Sequence, residues 1–180
     1  MNRRFTTVSG ALLVASLPAI AFAHPGHETG ASFAAGVAHP LTGLDHLCAL
    51  LAVGLLAGRM GTRAGIGIAV TFLALMCAGM ISGFAAVELP LVEAAIAASI
   101  ACIALLAWRP PRQFPLATAA FAGLFAVFHG HAHGAEAADG TARLAYLAGL
   151  SICSAAVIVA AMVLVNLPAR SRLRLQRRQS

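Results

Sequence analysis

The chain has 180 residues, 60% of them hydrophobic and only 10% charged, with a mean hydropathy of +0.87. This composition excludes an ordinary soluble domain and fits an integral membrane protein with room for one helical bundle and no second domain. The net charge of +6 comes from twelve arginines and no lysine; they sit between apolar runs and at the C-terminus, where they orient a membrane protein and do not signal nucleic-acid binding.

Residues 1–23 read as a secretory signal peptide. Asn2-Arg3-Arg4 is a short basic start, Val8 to Leu17 an apolar core, Pro18 a break, and Ala21-Phe22-Ala23 a small-x-small cleavage site. Cleavage leaves residues 24–180 as a membrane transport domain beginning His24-Pro25-Gly26-His27-Glu28. Four further breaks divide it into five apolar segments, about 32–58, 65–86, 90–108, 115–134 and 142–167. Each reaches or approaches the ~20 helical residues that cross a hydrocarbon core. The first is longer than needed, and Pro40 and Gly43 are positions where it can kink or unwind. Pro90 fits the first turn of the third segment, where its missing N–H is harmless. The expected fold is all-α: a polytopic bundle of five transmembrane helices.

Charge sets the expected topology. With the mature N-terminus outside, the Arg59–Arg63 loop, the Arg109–Arg112 loop and the tail from Arg170 to Arg178 all fall inside. Of the mature chain's arginines only Arg143 does not, so the positive-inside rule favours N-out and C-in. Gly54-x-x-x-Gly58 and Gly79-x-x-x-Gly83 are small-residue pairs suited to close helix packing. Cys48, Cys77, Cys102 and Cys153 fit no metal or redox spacing and read as small apolar filler.

Two polar clusters interrupt the apolar runs. The first is His39-Pro40-Leu41-Thr42-Gly43-Leu44-Asp45-His46. A carboxylate at the centre of a membrane helix costs roughly 2.5–3.5 kcal/mol on insertion scales, so a partner or a task is expected. Imidazole and carboxylate together suit a divalent transition metal. On a regular helix His39 and His46 face the same way but lie about 10 Å apart along the axis, too far for one ion. Either the helix unwinds at Pro40 and Gly43, or His39 is an outer station and Asp45/His46 a deeper one. The second cluster is Phe128-His129-Gly130-His131-Ala132-His133-Gly134-Ala135-Glu136. Helical spacing puts His129, His133 and Glu136 on one face and His131 elsewhere. Glu93, early in the third segment, falls at the same outer side; Glu88 reads as a loop charge. His24 and His27 form an outer arm able to capture metal.

These motifs carry a resemblance. His39-Pro-Leu-Thr-Gly-Leu-Asp45-His46-Leu followed by Ala52-Val53-Gly54 resembles the signature of the HupE/UreJ family of bacterial nickel permeases. The Phe128-to-Glu136 segment is similar to that family's second motif, and Leu89-Pro90-Leu91-Val92-Glu93 fits its pattern. The resemblance covers essentially the whole chain. It implies uptake of Ni²⁺ across the inner membrane to supply hydrogenase or urease, with functional positions at His39, Asp45, His46, Glu93, His133 and Glu136, and less firmly Phe72. Ni²⁺ is then the transported ion and no cofactor is permanently bound; the partners are the bilayer and downstream nickel-handling proteins. Nitrogen and oxygen ligands suit Co²⁺ or Zn²⁺ equally, so the choice of nickel rests on the resemblance. A metal-binding accessory protein that does not transport is the alternative. A membrane hydrolase is disfavoured, because no His-Glu-x-x-His pair supplies ligands beside a base.

Overall fold

The computed structural model describes residues 32–137 and 142–177, with side chains described as far as residue 167. The expected signal peptide, His24 and His27 lie outside these residues. Among the described residues there are six helices and no strand: α1 (Phe33–Thr42), α2 (Leu44–Arg59), α3 (Thr62–Phe84), α4 (Val92–Trp108), α5 (Pro115–Glu136) and α6 (Ala142–Arg177). Two stretches, Thr62–Phe84 and Ala142–Leu167, are long and apolar enough to cross a membrane; α1 and α2 together make a third, bent by 78°.

The bend has a local cause. Ser32 caps α1, its hydroxyl accepting from Ala35 N–H at 3.1 Å. Near the other end Pro40 has no N–H to give Gly36, and the helix stops two residues later. Thr42 Oγ1 donates to the Ala38 and His39 carbonyls at 3.2 and 3.3 Å, and Gly43 N–H to His39 O at 3.0 Å, so these carbonyls of the last turn stay satisfied. Gly43 is extended (φ −82°, ψ 110°), and α2 restarts on its carbonyl, which accepts from Leu47 N–H at 2.9 Å. The first apolar segment is therefore two helices meeting at a corner, unwound where the sequence allowed it.

The other junctions follow from residue chemistry as well. Gly61 takes φ 90°, a conformation that favours glycine, and turns the chain from α2 into α3. The α3–α4 connection is pinned between two left-handed non-glycine residues, Ala86 (φ 52°) and Leu91 (φ 60°). Leu91 rather than Pro90 precedes α4, so Pro90 lies in the turn and not in the first helical turn where it was expected. A residue held at positive φ cannot begin a right-handed helix, and the start moves to Val92. The proline at a helix start is Pro115 in α5.

Glycine contacts lock the bundle. The most extensive packing is α3 against α5. There Gly79 lies against the Val127 carbonyl, Gly130 against that of Met76, Gly83 against that of His131 and Gly134 against that of Met80. Neither helix has room for a Cβ at these crossings. Gly54 and Gly58 of α2 meet Ile158, Ala161, Met162 and Val165 of α6, while Gly36 of α1 and Gly149 of α6 interlock across their own crossing. Both small-residue pairs are thus spent on packing within one chain. The core they surround holds Leu50, Val53, Leu56, Ile68, Phe72, Met76, Met80, Ile103, Leu150 and Ile158, none more than 2% exposed. Large apolar side chains such as Ile66, Val70, Leu105, Leu124, Val159 and Leu164 face outward, as a lipid-facing exterior requires.

The bundle has two chemically different ends. At one, Arg59, Arg109 and Arg112 line a cavity of ≈ 400 Å³, and Arg112 Nε donates to Arg59 O at 2.9 Å. Every described histidine and acidic residue belongs to the opposite half, near the α1–α2 corner, the α3–α4 connection and the C-terminal end of α5.

Candidate metal site

Four imidazoles gather at that second end. The corner at Gly43 folds α1 back so that the His39 and His46 rings, about 10 Å apart on a straight helix, come to 5.8 Å between centroids. His39 also lies 4.4 Å from His133, and His46 lies 4.7 Å from both His129 and His133. The α3–α5 glycine contacts hold the last turns of α5 in place and so present His129 and His133, one turn apart, to α2.

His46, His129 and His133 are buried, at 1%, 2% and 8% exposure, and each offers one ligand nitrogen such that all three lie within 4.8 Å of one another. The His133 Nε2 to His46 Nδ1 distance is 2.9 Å. Two nitrogens bound to one ion at the usual ~2.0–2.1 Å would stand about 3.0–3.4 Å apart, so this pair already has nearly the spacing of neighbouring ligands. His46 Nε2 lies 3.3 Å from Ser154 Oγ on α6, a fully buried hydroxyl. Donation of Nε2–H to Ser154 leaves the Nδ1 lone pair facing the cluster, as an orienting partner does for a metal-bound histidine. Among the described residues, His129 Nε2 and His133 Nδ1 are buried with no hydrogen-bond partner. Each such orphan costs about 1–3 kcal/mol unless something else satisfies it. A divalent cation can take the lone pair of His129 Nε2, and His133 can give it one nitrogen only, either Nε2 beside His46 or the orphaned Nδ1, so the donor set fits a single ion.

The carboxylates stand apart from this group. Asp45 is exposed in the first turn of α2, within electrostatic reach of His129. Glu93 is exposed in the first turn of α4, and Glu136 is exposed at the end of α5. The convergent ligand set among the described residues is all imidazole, and the expected carboxylates, all exposed, are not part of it. Phe72 is a core residue at 2% exposure. Two neighbours escaped sequence reasoning: Ser154 on His46, and Tyr146, whose ring lies 6.0 Å from His39. The visible signal for both was a hydroxyl inside an apolar run.

The sequence matches the family described as HupE / UreJ protein over residues 12–179. The chain belongs to the HupE/UreJ family. Protein HupE of Rhizobium leguminosarum bv. viciae, a HupE/UreJ relative by name, is 36% identical over 147 residues, covering 81% of this chain and 76% of the relative. No solved structure matches the chain significantly.

Proposed function

We propose that this HupE/UreJ protein is a permease of the bacterial inner membrane that takes up a divalent transition metal, Ni²⁺ foremost, for hydrogenase or urease maturation. The observation that carries the reading is the buried imidazole cluster with two orphaned nitrogens, held by α5 and by the bent α1–α2 pair, which like α3 and α6 is long and apolar enough to cross a membrane. In this reading five spans run N-out and C-in. The arginine end faces the cytoplasm, as the positive-inside rule requires, and the histidine end faces the periplasm.

The mechanism follows from what each group offers. His24 and His27 would capture the ion outside. Asp45, Glu93 and Glu136, exposed at the histidine end, would lower the energy of an approaching dication, and His39 would pass it inward. His46, His129 and His133 would then replace part of its hydration shell. The nitrogen set also suits Co²⁺ and Zn²⁺. No nucleotide-binding Walker motif is present. The membrane potential supplies ~4.6 kcal/mol per 100 mV for a divalent cation moving inward. Below the cluster the buried core around Phe72, Met76 and Leu50 closes the route, so release requires these helices to move apart.

A second reading, a metal-binding accessory protein that hands nickel to a partner, is favoured by one observation. Among the described residues the arginine half offers no histidine or carboxylate to receive the ion. Radiolabelled Ni²⁺ flux into proteoliposomes decides between them. Uptake that rises with an inside-negative potential is the expected result; tight binding without flux refutes the permease.

A further inference from the structure

His131 takes no part in the cluster described above. It lies some 200° around α5 from both His129 and His133, on the side packed against α3. We propose that His131 and Glu88 form a second divalent-cation site, about one helix diameter from the histidine cluster and opening on the α3–α4 connection.

The argument begins with Ser82. Its hydroxyl lies 2.6 Å from the Gly79 carbonyl and 3.0 Å from His131 Nδ1. A carbonyl can only accept, so the single hydroxyl proton is committed to Gly79. Ser82 Oγ must then accept from His131, which fixes the proton on Nδ1 and the lone pair on Nε2. A metal-binding histidine is oriented in this way, by a second group that holds its other nitrogen. Nε2 has no hydrogen-bond partner among the described residues, although the side chain is only 6% exposed. The ring lines a cavity of ≈ 540 Å³ whose other walls are Val87, Glu88, Leu89 and Pro90. Glu88 is the one carboxylate of that lining, and it is exposed. The connection that carries it is bounded by Ala86 and Leu91, both in left-handed conformations. One imidazole and one carboxylate at an accessible cavity, with water completing the shell, suit a borderline divalent cation held for capture rather than storage.

This site does not depend on transport, and its test reads binding. Full-length protein purified in detergent is dialysed to equilibrium against Ni²⁺ alone. His131→Asn and Glu88→Gln are each expected to weaken the same binding step at least tenfold, while His133→Ala leaves that step intact. Ser82→Ala should weaken it about 10–100-fold, and Ser82→Thr, which keeps the hydroxyl, should restore it. Unchanged binding in Glu88→Gln overturns the proposal, and Glu88, being an exposed loop residue, carries the test even if His131→Asn fails to fold. Loss of the same step in His131→Asn and His133→Ala also overturns it. Flux in the same variants keeps the two readings apart. Absent flux with intact His131-dependent binding refutes transport alone; flux without such binding refutes this site alone.

Discussion

Replacing His129 by leucine should separate stability from metal binding. His129 is 2% exposed, and its Nε2 has no hydrogen-bond partner among the described residues. Leucine has a similar volume and removes a buried polar atom costing about 1–3 kcal/mol. It is also a better helix former, but by less than ~0.7 kcal/mol. The metal-free variant should therefore be more stable than wild type by about 1–3 kcal/mol. At ~2–4 °C per kcal/mol for a chain of this size, its melting temperature rises by roughly 2–12 °C. The response to metal should run the other way. Ligand at a hundred times its dissociation constant stabilises the native state by ~2.7 kcal/mol, and the variant should lose most of this. Thermal melts followed by circular dichroism in detergent, with and without Ni²⁺, read both effects. A histidine that merely packs would give a less stable variant with an undiminished Ni²⁺ shift, and that result would falsify the assignment of His129 to the site.

Other outcomes follow from the same geometry. Gly130→Ala drives a Cβ into the Met76 carbonyl and must part α3 from α5, so helix packing, thermal stability and Ni²⁺ binding should fall together in melts and dialysis. Ser154→Ala removes the hydroxyl beside His46 Nε2 and should weaken Ni²⁺ binding about 10–100-fold in equilibrium dialysis with little change in helix content. In proteoliposomes, Asp45→Asn and His46→Ala should each abolish Ni²⁺ uptake while inserting normally. Cys77→Ala, which loses only a 3.3 Å contact to Ser151, should transport almost as wild type; normal uptake by Asp45→Asn would remove that carboxylate from the mechanism.

Much of the helical layout was legible because most apolar runs end at arginine, proline or glycine, and hydropathy is a local property. The site was legible in part. Spacing alone put His129 and His133 on one face, and Pro40 with Gly43 marked where the first segment could unwind. Spacing could not say whether the first segment unwinds; the 78° bend and the 5.8 Å between the His39 and His46 rings show that it does, while His39 stands outside the three-histidine group. The carboxylates show the limit of the method. Asp45, Glu93 and Glu136 were grouped with the histidines by charge and depth, yet all three side chains are exposed and the buried convergent group is imidazole alone. His131 shows the reverse: its spacing excluded it from the cluster but could not reveal Ser82, 49 positions away, holding its ring.

The sequence by itself determined the chemistry available: lipid-compatible helices, arginines other than Arg143 set apart from acids, and histidines gathered in three short segments. Those are matters of composition and neighbouring residues. Only the tertiary structure decided which of these groups meet. Backbone contact at Gly79, Gly83, Gly130 and Gly134 sets the position of α5 against α3, and the corner at Gly43 turns His39 toward His46. Ligand geometry is fixed to tenths of an ångström by contacts between helices distant in sequence. A local pattern names the donors, and the packing of the bundle makes them a site.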